Sequence, residues 1–220
     1  MDIWKELIDK LIQDLQIQNF SMLGKMIEWV SHENFLDVSH KATGGFGRTV
    51  YTANWVGGYI IEWDEHNQKF IRSGTCAVAL KPLYNSNNPS EDFFKEVRST
   101  FILTSESHLF VPLLYSITKS PDIGDHMLIL DYMKSGDLGS FLRKKKGTST
   151  WTERFSLLRD ISLGLEQIHE NDLLHKDLHP GNILTKTGNE WEICDMGFCG
   201  PANKDSVNEI FGNLQYVASE

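Results

Sequence analysis

Apolar residues open the chain at helical spacing. Trp4, Leu7, Ile8, Leu11, Ile12 and Leu15 fall at i, i+3, i+4, i+7, i+8 and i+11, with charged residues among them. The pattern predicts one amphipathic helix with a single apolar stripe. Such a stripe commonly packs on its own domain, and docking on a partner helix is the alternative. A second apolar cluster, Met26, Ile27, Trp29 and Val30, leads into Ser-His-Glu-Asn-Phe, where the pattern changes.

From Phe35 to Leu83 the residues favour strands. Arg48–Trp55 is rich in β-branched and aromatic residues, and Cys76–Leu83 is an apolar run of strand length. Between them, "YIIEWDEHNQKFIR" reads as a hairpin with a polar tip, an insertion that extends two strands of the sheet. A helix is expected over "PSEDFFKEVRSTFIL", with Ser90 as cap, Glu91 and Asp92 in the first turn, and Phe94, Val97 and Phe101 on one face. "HMLILDYM" is a buried strand, and "SGDLGSFLRKKKGT" a loop followed by a short helix.

The longest helix should run from Trp151 to His169. Thr150 and Glu153 form a T-x-x-E capping box before it. Its stripe is Trp151, Phe155, Leu158, Ile161, Leu165 and Ile168. A short hairpin turning at Lys186-Thr187-Gly188-Asn189 and an irregular tail from Gly197 complete the pattern. Strands come first and helices mostly later, which predicts an α+β fold of two lobes without internal repeats.

Composition narrows the function. A chain of 220 residues with 40% hydrophobic content can bury one sizeable core or two small ones. The net charge is −9, and Arg143–Lys146 is the one prominent basic cluster, which disfavours nucleic-acid binding. Cys76, Cys194 and Cys199 lack metal-ligand spacing and read as reduced thiols. The charged N-terminus is no signal peptide, and no apolar run approaches the ~18 residues of a membrane span. These features point to the cytoplasm, with the nucleus as the alternative.

Four stretches carry chemistry. "ATGGFGRTVY" contains Gly44, Gly45 and Gly47, and most glycine clusters are simply turns. Because a strand follows where a dinucleotide site needs a helix, a phosphate flap between two antiparallel strands fits better. Lys81 lies in an apolar strand and reaches solvent at its end or requires an anion. Glu96, fifteen residues on, can supply one. "HKDLHPGNIL" holds Asp177 and Asn182 five residues apart around Pro and Gly, an ordinary turn when taken alone. Asp195 follows a short strand and could be a cap. With Asn182 it would also offer the oxygen ligands that Mg²⁺ prefers, leaving Asp177 to accept a hydroxyl proton. In this order, the parts point to phosphoryl transfer from a metal-bound nucleotide.

The sequence resembles a eukaryotic protein kinase domain of the tyrosine-kinase-like group, from about Phe35 to Glu220. The resemblance implies a two-lobed protein-kinase-like fold that binds ATP and Mg²⁺ and acts on a protein substrate. Gly44 and Gly47 match two glycines of the phosphate-covering loop, with Gly45 between them. Ala42 stands at the first glycine of that loop, and Val50 roofs the adenine. Ala79-Leu80-Lys81 resembles the A-x-K strand, with Lys81 paired to Glu96. Leu130 matches the gatekeeper, and Asp131, Tyr132 and Met133 the hinge along the adenine edge. His175-Lys176-Asp177 matches H-R-D, which makes Asp177 the catalytic base. Asn182 and Asp195 match the metal-binding positions, Leu184 the floor of the adenine pocket, and Ala218-Ser219-Glu220 the A-P-E motif.

Departures qualify the match. One extra residue lies between Gly47 and Val50, so Thr49 competes for the valine position. Lys176 replaces an arginine and lacks its bidentate fork, which weakens the case for phosphate control. Met196 replaces phenylalanine, a tolerable swap. His179 replaces the lysine of Ser/Thr kinases, and Pro180 leans towards Ser/Thr rather than Tyr acceptors. The resemblance divides the chain into an N-terminal helical extension (1–34), a strand-rich N-lobe (35–132) and an incomplete helical C-lobe (133–220). Later helices of the family have no counterpart, so a fragment with low activity and a partly uncovered Trp151–His169 helix is expected. The alternatives are a small-molecule phosphotransferase, whose loops share H-x-D-L-H-P-G-N, and a non-catalytic scaffold module.

Overall fold

The computed structural model describes residues 3–18, 26–43, 49–83, 91–105, 110–122 and 124–201. They fall into two compact units, Met1–Phe101 with Leu113–Tyr132, and Ile102–Pro112 with Met133–Glu220.

The first unit is built on a five-stranded antiparallel sheet of β1 (Phe35–Thr43), β2 (Thr49–Trp55), β5 (Cys76–Pro82), β6 (Leu114–Lys119) and β7 (His126–Asp131), in the order β1-β2-β5-β7-β6. The two-residue period of β5 sends Val78 and Leu80 to one face, where they pack with Phe35, Trp55, Met127 and Ile129. Leu83 and Leu128 belong to the other face, which is covered by helices. Lys81 sits opposite Leu128 in the β5–β7 register and therefore shares that face.

Two helices provide the cover. In α1 (Ile3–Gln18), Ile8, Leu11, Ile12 and Leu15 are buried in a cluster with Phe93, Val97 and Phe101 of α2 (Glu91–Ser105). These four residues of the N-terminal stripe thus pack on their own unit, whereas Leu7 of the expected stripe is exposed. On α2 the buried aromatics are Phe93 and Phe101; Phe94, expected on that face, only borders the cluster. Ser90 lies outside the described residues. The segment after α1 is fastened at two points: Glu28 N–H donates to Ser116 Oγ of the sheet at 2.9 Å, and Arg72, outside that sheet, forks onto both Glu28 oxygens at 2.7 Å.

The hairpin of β3 (Ile60–Asp64) and β4 (Lys69–Arg72) is a separate two-stranded sheet, where a continuation of two main-sheet strands was expected. Gly57, Gly58 and Gly74 have φ of 86°, 66° and 76°, and these left-handed residues swing the ribbon out of line with β2 and β5. Asp64 Oδ1 closes its tip by accepting the N–H groups of His66 and Asn67, both at 3.0 Å.

The second unit is organised by α4 (Trp151–Glu170), capped by the Thr150–Glu153 box. Asp160 Oδ2 accepts the Trp191 amide at 3.1 Å, and Ile168 packs with Leu103, Val111, Ile193, Met196 and Cys199. Gly164 permits the approach of β11 (Trp191–Ile193): a Cβ there would lie 3.0 Å from Ile193 Cδ1. Trp151, Phe155 and Leu158 are 83%, 74% and 63% exposed, so the outer half of the expected stripe is uncovered. The short helix α3 (Leu138–Lys145) is capped by Asp137, in β8 (Gly136–Asp137). β8 joins β10 (Ile183–Thr185) and β11 in a three-stranded sheet. Of the tail expected to be irregular from Gly197, β12 (Gly200–Pro201) pairs with β9 (Leu173–Leu174), and residues 202–220, with Ala218-Ser219-Glu220, lie outside the described residues. No described helix is long and apolar enough to cross a membrane.

Candidate active site

In the first unit, Lys81 is only 7% exposed, and its Nζ lies 2.5 Å from Glu96 Oε1. A buried ammonium demands such a partner. Strand register aims Lys81 at the helix-covered face, and Glu96 lies beside the buried stripe of α2. Val50 is half-buried and faces Ala42 across the β1–β2 pair; Thr49 faces Thr43. Gly44, Gly45 and Gly47 lie outside the described residues. Ala79 stands opposite Leu130 in the β5–β7 register. Asp131 accepts the Tyr132 amide on Oδ1 at 2.9 Å and donates its own amide to the Leu113 carbonyl at 2.9 Å. Burial, reinforced by the charge of Asp131, raises the Tyr115 hydroxyl far above its ordinary pKa.

In the second unit, the stretch around Asp177 and Asn182 is tied by buried polar contacts. Asn182 Nδ2 donates to the Asp177 carbonyl at 3.0 Å and lies 3.3 Å from its Oδ2. His179 Nδ1 accepts the Gly181 amide at 3.0 Å, capping the 3₁₀ turn Pro180–Asn182, and His179 Nε2 lies 3.7 Å from Asp177 Oδ2. The buried His175 bridges two segments: Nδ1 accepts the Asp177 amide at 3.3 Å, and Nε2 donates to the Cys194 carbonyl at 2.9 Å. Burial lowers the pKa of His175 and outweighs the neighbouring carboxylates, which favours the neutral ring with its proton on Nε2.

Asp195 follows directly. Its backbone is left-handed at φ 67°, and its Oδ1 accepts the Gly197 amide at 3.2 Å. The residue before Asp195 is tied to Asn182: the Cys194 amide donates to the Asn182 carbonyl at 2.8 Å, beside the β10–β11 hairpin. Leu184 is half-buried in β10, and Met133 is buried. The bridging part of His175 escaped the sequence, where the residue appeared only as a motif match. A bond from a ring nitrogen to a carbonyl nineteen residues away leaves no periodic signal. Lys176 is also left-handed, at φ 61°, and approaches Gly200: a Cβ on that glycine would lie 3.1 Å from Lys176 Nζ.

These features describe a strand-rich unit with a buried Lys–Glu pair and a second unit with a carboxylate, an amide and a second carboxylate on linked loops. The family model for protein tyrosine and serine/threonine kinases matches residues 40–217. The chain belongs to the protein kinase family. It is 32% identical over 117 residues to Serine/threonine-protein kinase SCH9 of Saccharomyces cerevisiae, covering 53% of this chain and 14% of that protein. It is 31% identical over 118 residues to Serine/threonine-protein kinase 1 of Heliothis zea nuclear polyhedrosis virus, covering 54% and 42%. It is 34% identical over 203 residues to Inhibitor of nuclear factor kappa-B kinase subunit alpha of Danio rerio, covering 87% and 24%. The matches thus span less than half the length of each of these relatives.

Membership implies ATP and a divalent metal ion. The donor set fits a hard cation. With Asn182 Nδ2 turned to Asp177, Oδ1 is the acceptor on the other side of the amide, and Asp195 is a carboxylate on the adjoining loop. Among the described residues there is no cluster of three or more His, Cys, Asp or Glu side chains suited to a metal ion. A Mg²⁺ ion held by one or two protein oxygens together with substrate phosphates needs no such cluster.

Proposed function

We propose that this domain transfers the γ-phosphate of ATP to Ser or Thr hydroxyls of a protein, in preference to Tyr. The acceptor hydroxyl gives its proton to Asp177 while its oxygen bonds to the γ-phosphorus. The bond from that phosphorus to the β–γ bridging oxygen breaks, and ADP leaves. Lys81, steadied by Glu96, binds the nucleotide phosphates, assisted by the loop of Ala42, Gly44, Gly45 and Gly47. Val50, Ala79, Asp131, Met133 and Leu184 hold the adenine, with Asp131 and Met133 acting through their backbone. Asn182 and Asp195 hold Mg²⁺, which when bound offsets phosphate charge. Residues 35–132 serve as the N-lobe, 133–220 belong to the C-lobe and 1–34 form an extension.

The carrying observation is the linkage of three chemical groups in one short stretch: Asp177 contacts Asn182, whose carbonyl accepts the amide next to Asp195. A structural turn needs no such pairing of two buried polar side chains with an adjoining carboxylate. The Ser/Thr preference draws on Pro180 and on the names of the yeast and viral relatives. Cys76, Cys194 and Cys199, none of them in a disulfide, suit a reducing cytoplasm.

Titration of a fluorescent ATP analogue with and without Mg²⁺ tests binding. Lys81→Met and Asp195→Asn should each weaken it, the latter only when Mg²⁺ is present. Asp177→Asn should lower phosphate transfer to a generic protein substrate by ~10²–10⁴-fold at nearly unchanged nucleotide affinity. Full transfer by Asp177→Asn, or binding indifferent to Mg²⁺ and to both other changes, defeats the reading.

A further inference from the structure

We infer that α1 is a built-in brace that sets the rotation of α2 and thereby holds Glu96 on Lys81; Ile8, Leu11, Ile12 and Leu15 are positioning residues. In α2, Phe93, Val97 and Phe101 recur every four residues and are nearly or fully buried. They define one stripe, and Glu96 lies at its edge, next to Val97 and three residues from Phe93. A helix residue occupies about 100° of arc, so a slip of one position would carry Glu96 away from β5. What resists that slip is the packing around the stripe.

That packing has two sources, the sheet and α1. Leu83, Leu114, Ile117 and Leu128 contribute from the sheet side, and the four α1 residues close the same cluster. The far end of α1 is itself anchored. Gln16 Nε2 donates to the Ile27 carbonyl at 2.6 Å, Ile27 is buried in the cluster, and Glu28 is held by Ser116 and Arg72. The N-terminal segment is therefore pinned at its exit while its stripe lies on α2. The ion pair is almost sealed, with side-chain exposures of 9% and 12%. A small rotation of α2 would take the Glu96 carboxylate from the buried Lys81 ammonium, a loss that favours its deprotonation or its access to water.

The inference about geometry stands on packing alone, and its importance for catalysis rests on the kinase reading. The experiment therefore measures the amine of Lys81 directly. The full chain and its variants are pulsed with acetic anhydride, and acetylation of Lys81 is read by mass spectrometry. Leu11→Ala should raise Lys81 labelling on the order of tenfold, through more frequent opening of the pair. Glu96→Gln should raise it to a similar level, and the double variant no further, the signature of two residues acting through one contact. Leu11→Met should match the parent chain. Ile129→Val, on the opposite sheet face, should leave labelling unchanged. Should Leu11→Ala unfold the unit, the milder Ile8→Val should still give a smaller rise that is lost in the Glu96→Gln background.

Unchanged labelling in the α1 variants, an equal rise in Ile129→Val, or additive effects with Glu96→Gln would overturn the inference. Mg²⁺-ATP affinity is measured in parallel. It should fall in Leu11→Ala and show no further fall on the Glu96→Gln background. A parent chain that binds no nucleotide, yet shows the labelling pattern, retains the brace and loses the kinase reading.

Discussion

Cys194 donates its amide to the carbonyl of Asn182 at 2.8 Å, and its thiol approaches the same oxygen at 3.2 Å. Cys194 is the residue before Asp195, so the backbone presenting one proposed metal ligand is fastened to the backbone presenting the other. Its own carbonyl accepts the proton of His175 Nε2. Both peptide groups around Cys194 are therefore committed, and the backbone segments that carry the two oxygen donors are tied together.

The His175 bridge should make the second unit sensitive to acid. Its pKa is lowered in the fold by burial, so the unfolded chain takes up the proton first. Stability is then fully present above the unfolded value near 6.5 and is lost as pH falls from there through the lowered folded value. Thermal unfolding between pH 7.5 and 5 should show this decline, and His175→Gln should flatten it while costing ~1–3 kcal/mol at neutral pH. A parallel decline in His175→Gln would assign the effect to another group.

Gly164 should resist replacement despite its place within a helix. Alanine would gain ~1 kcal/mol of helix propensity. Its Cβ, however, would meet Ile193 Cδ1 at 3.0 Å and Phe110 Cβ at 3.3 Å, and overpacking of that kind costs ~1–3 kcal/mol. We expect net destabilisation in Gly164→Ala and partial recovery when Ile193→Val is added. Denaturant unfolding that shows Gly164→Ala to be stabilising would contradict this packing account.

The two halves of the α4 stripe should behave oppositely. Phe155→Gln and Leu158→Gln, at exposed positions, should change stability by less than ~0.5 kcal/mol, whereas Ile168→Ala should cost ~2–5 kcal/mol. The same two surface changes should reduce self-association in sedimentation velocity, because contiguous exposed apolar groups are adhesive.

Cysteine reactivity gives a further measure. Cys199 is buried, and burial pushes its thiol up to about 11. In the native chain at pH 8 it should be alkylated by iodoacetamide far more slowly than Cys76, which is half-buried, and should match it after unfolding.

Local rules made much of this fold readable. β-branched and aromatic content marked β2, apolar runs of strand length marked β5 and β7, and the Thr150–Glu153 box marked the start of α4. Lys81 and Glu96 were paired on chemical grounds, since a charge in an apolar strand needs a partner. What remained hidden depends on contacts between distant segments. The stripe of α1 has the same spacing whatever it covers, so its place on α2 could not be read from period alone. Phe93 and Phe94 are adjacent, and only the helix phase fixed by the sheet decides which is buried. The independence of the β3–β4 ribbon follows from left-handed glycines whose dihedrals no hydropathy pattern encodes.

Asp195 has one more implication. A non-glycine residue in a left-handed conformation forgoes ~1 kcal/mol or more relative to glycine, and Lys176 meets the same penalty on the segment of the proposed base. Both stretches thus lie uphill of what backbone preference alone would choose. Selection for stability, unopposed by function, would favour glycine at these positions, because that change relaxes the backbone even as it erases the carboxylate or the ammonium. An inactive descendant of this domain should accordingly be easier to fold than the domain itself, and selection for stability alone would be a route by which the chemistry disappears.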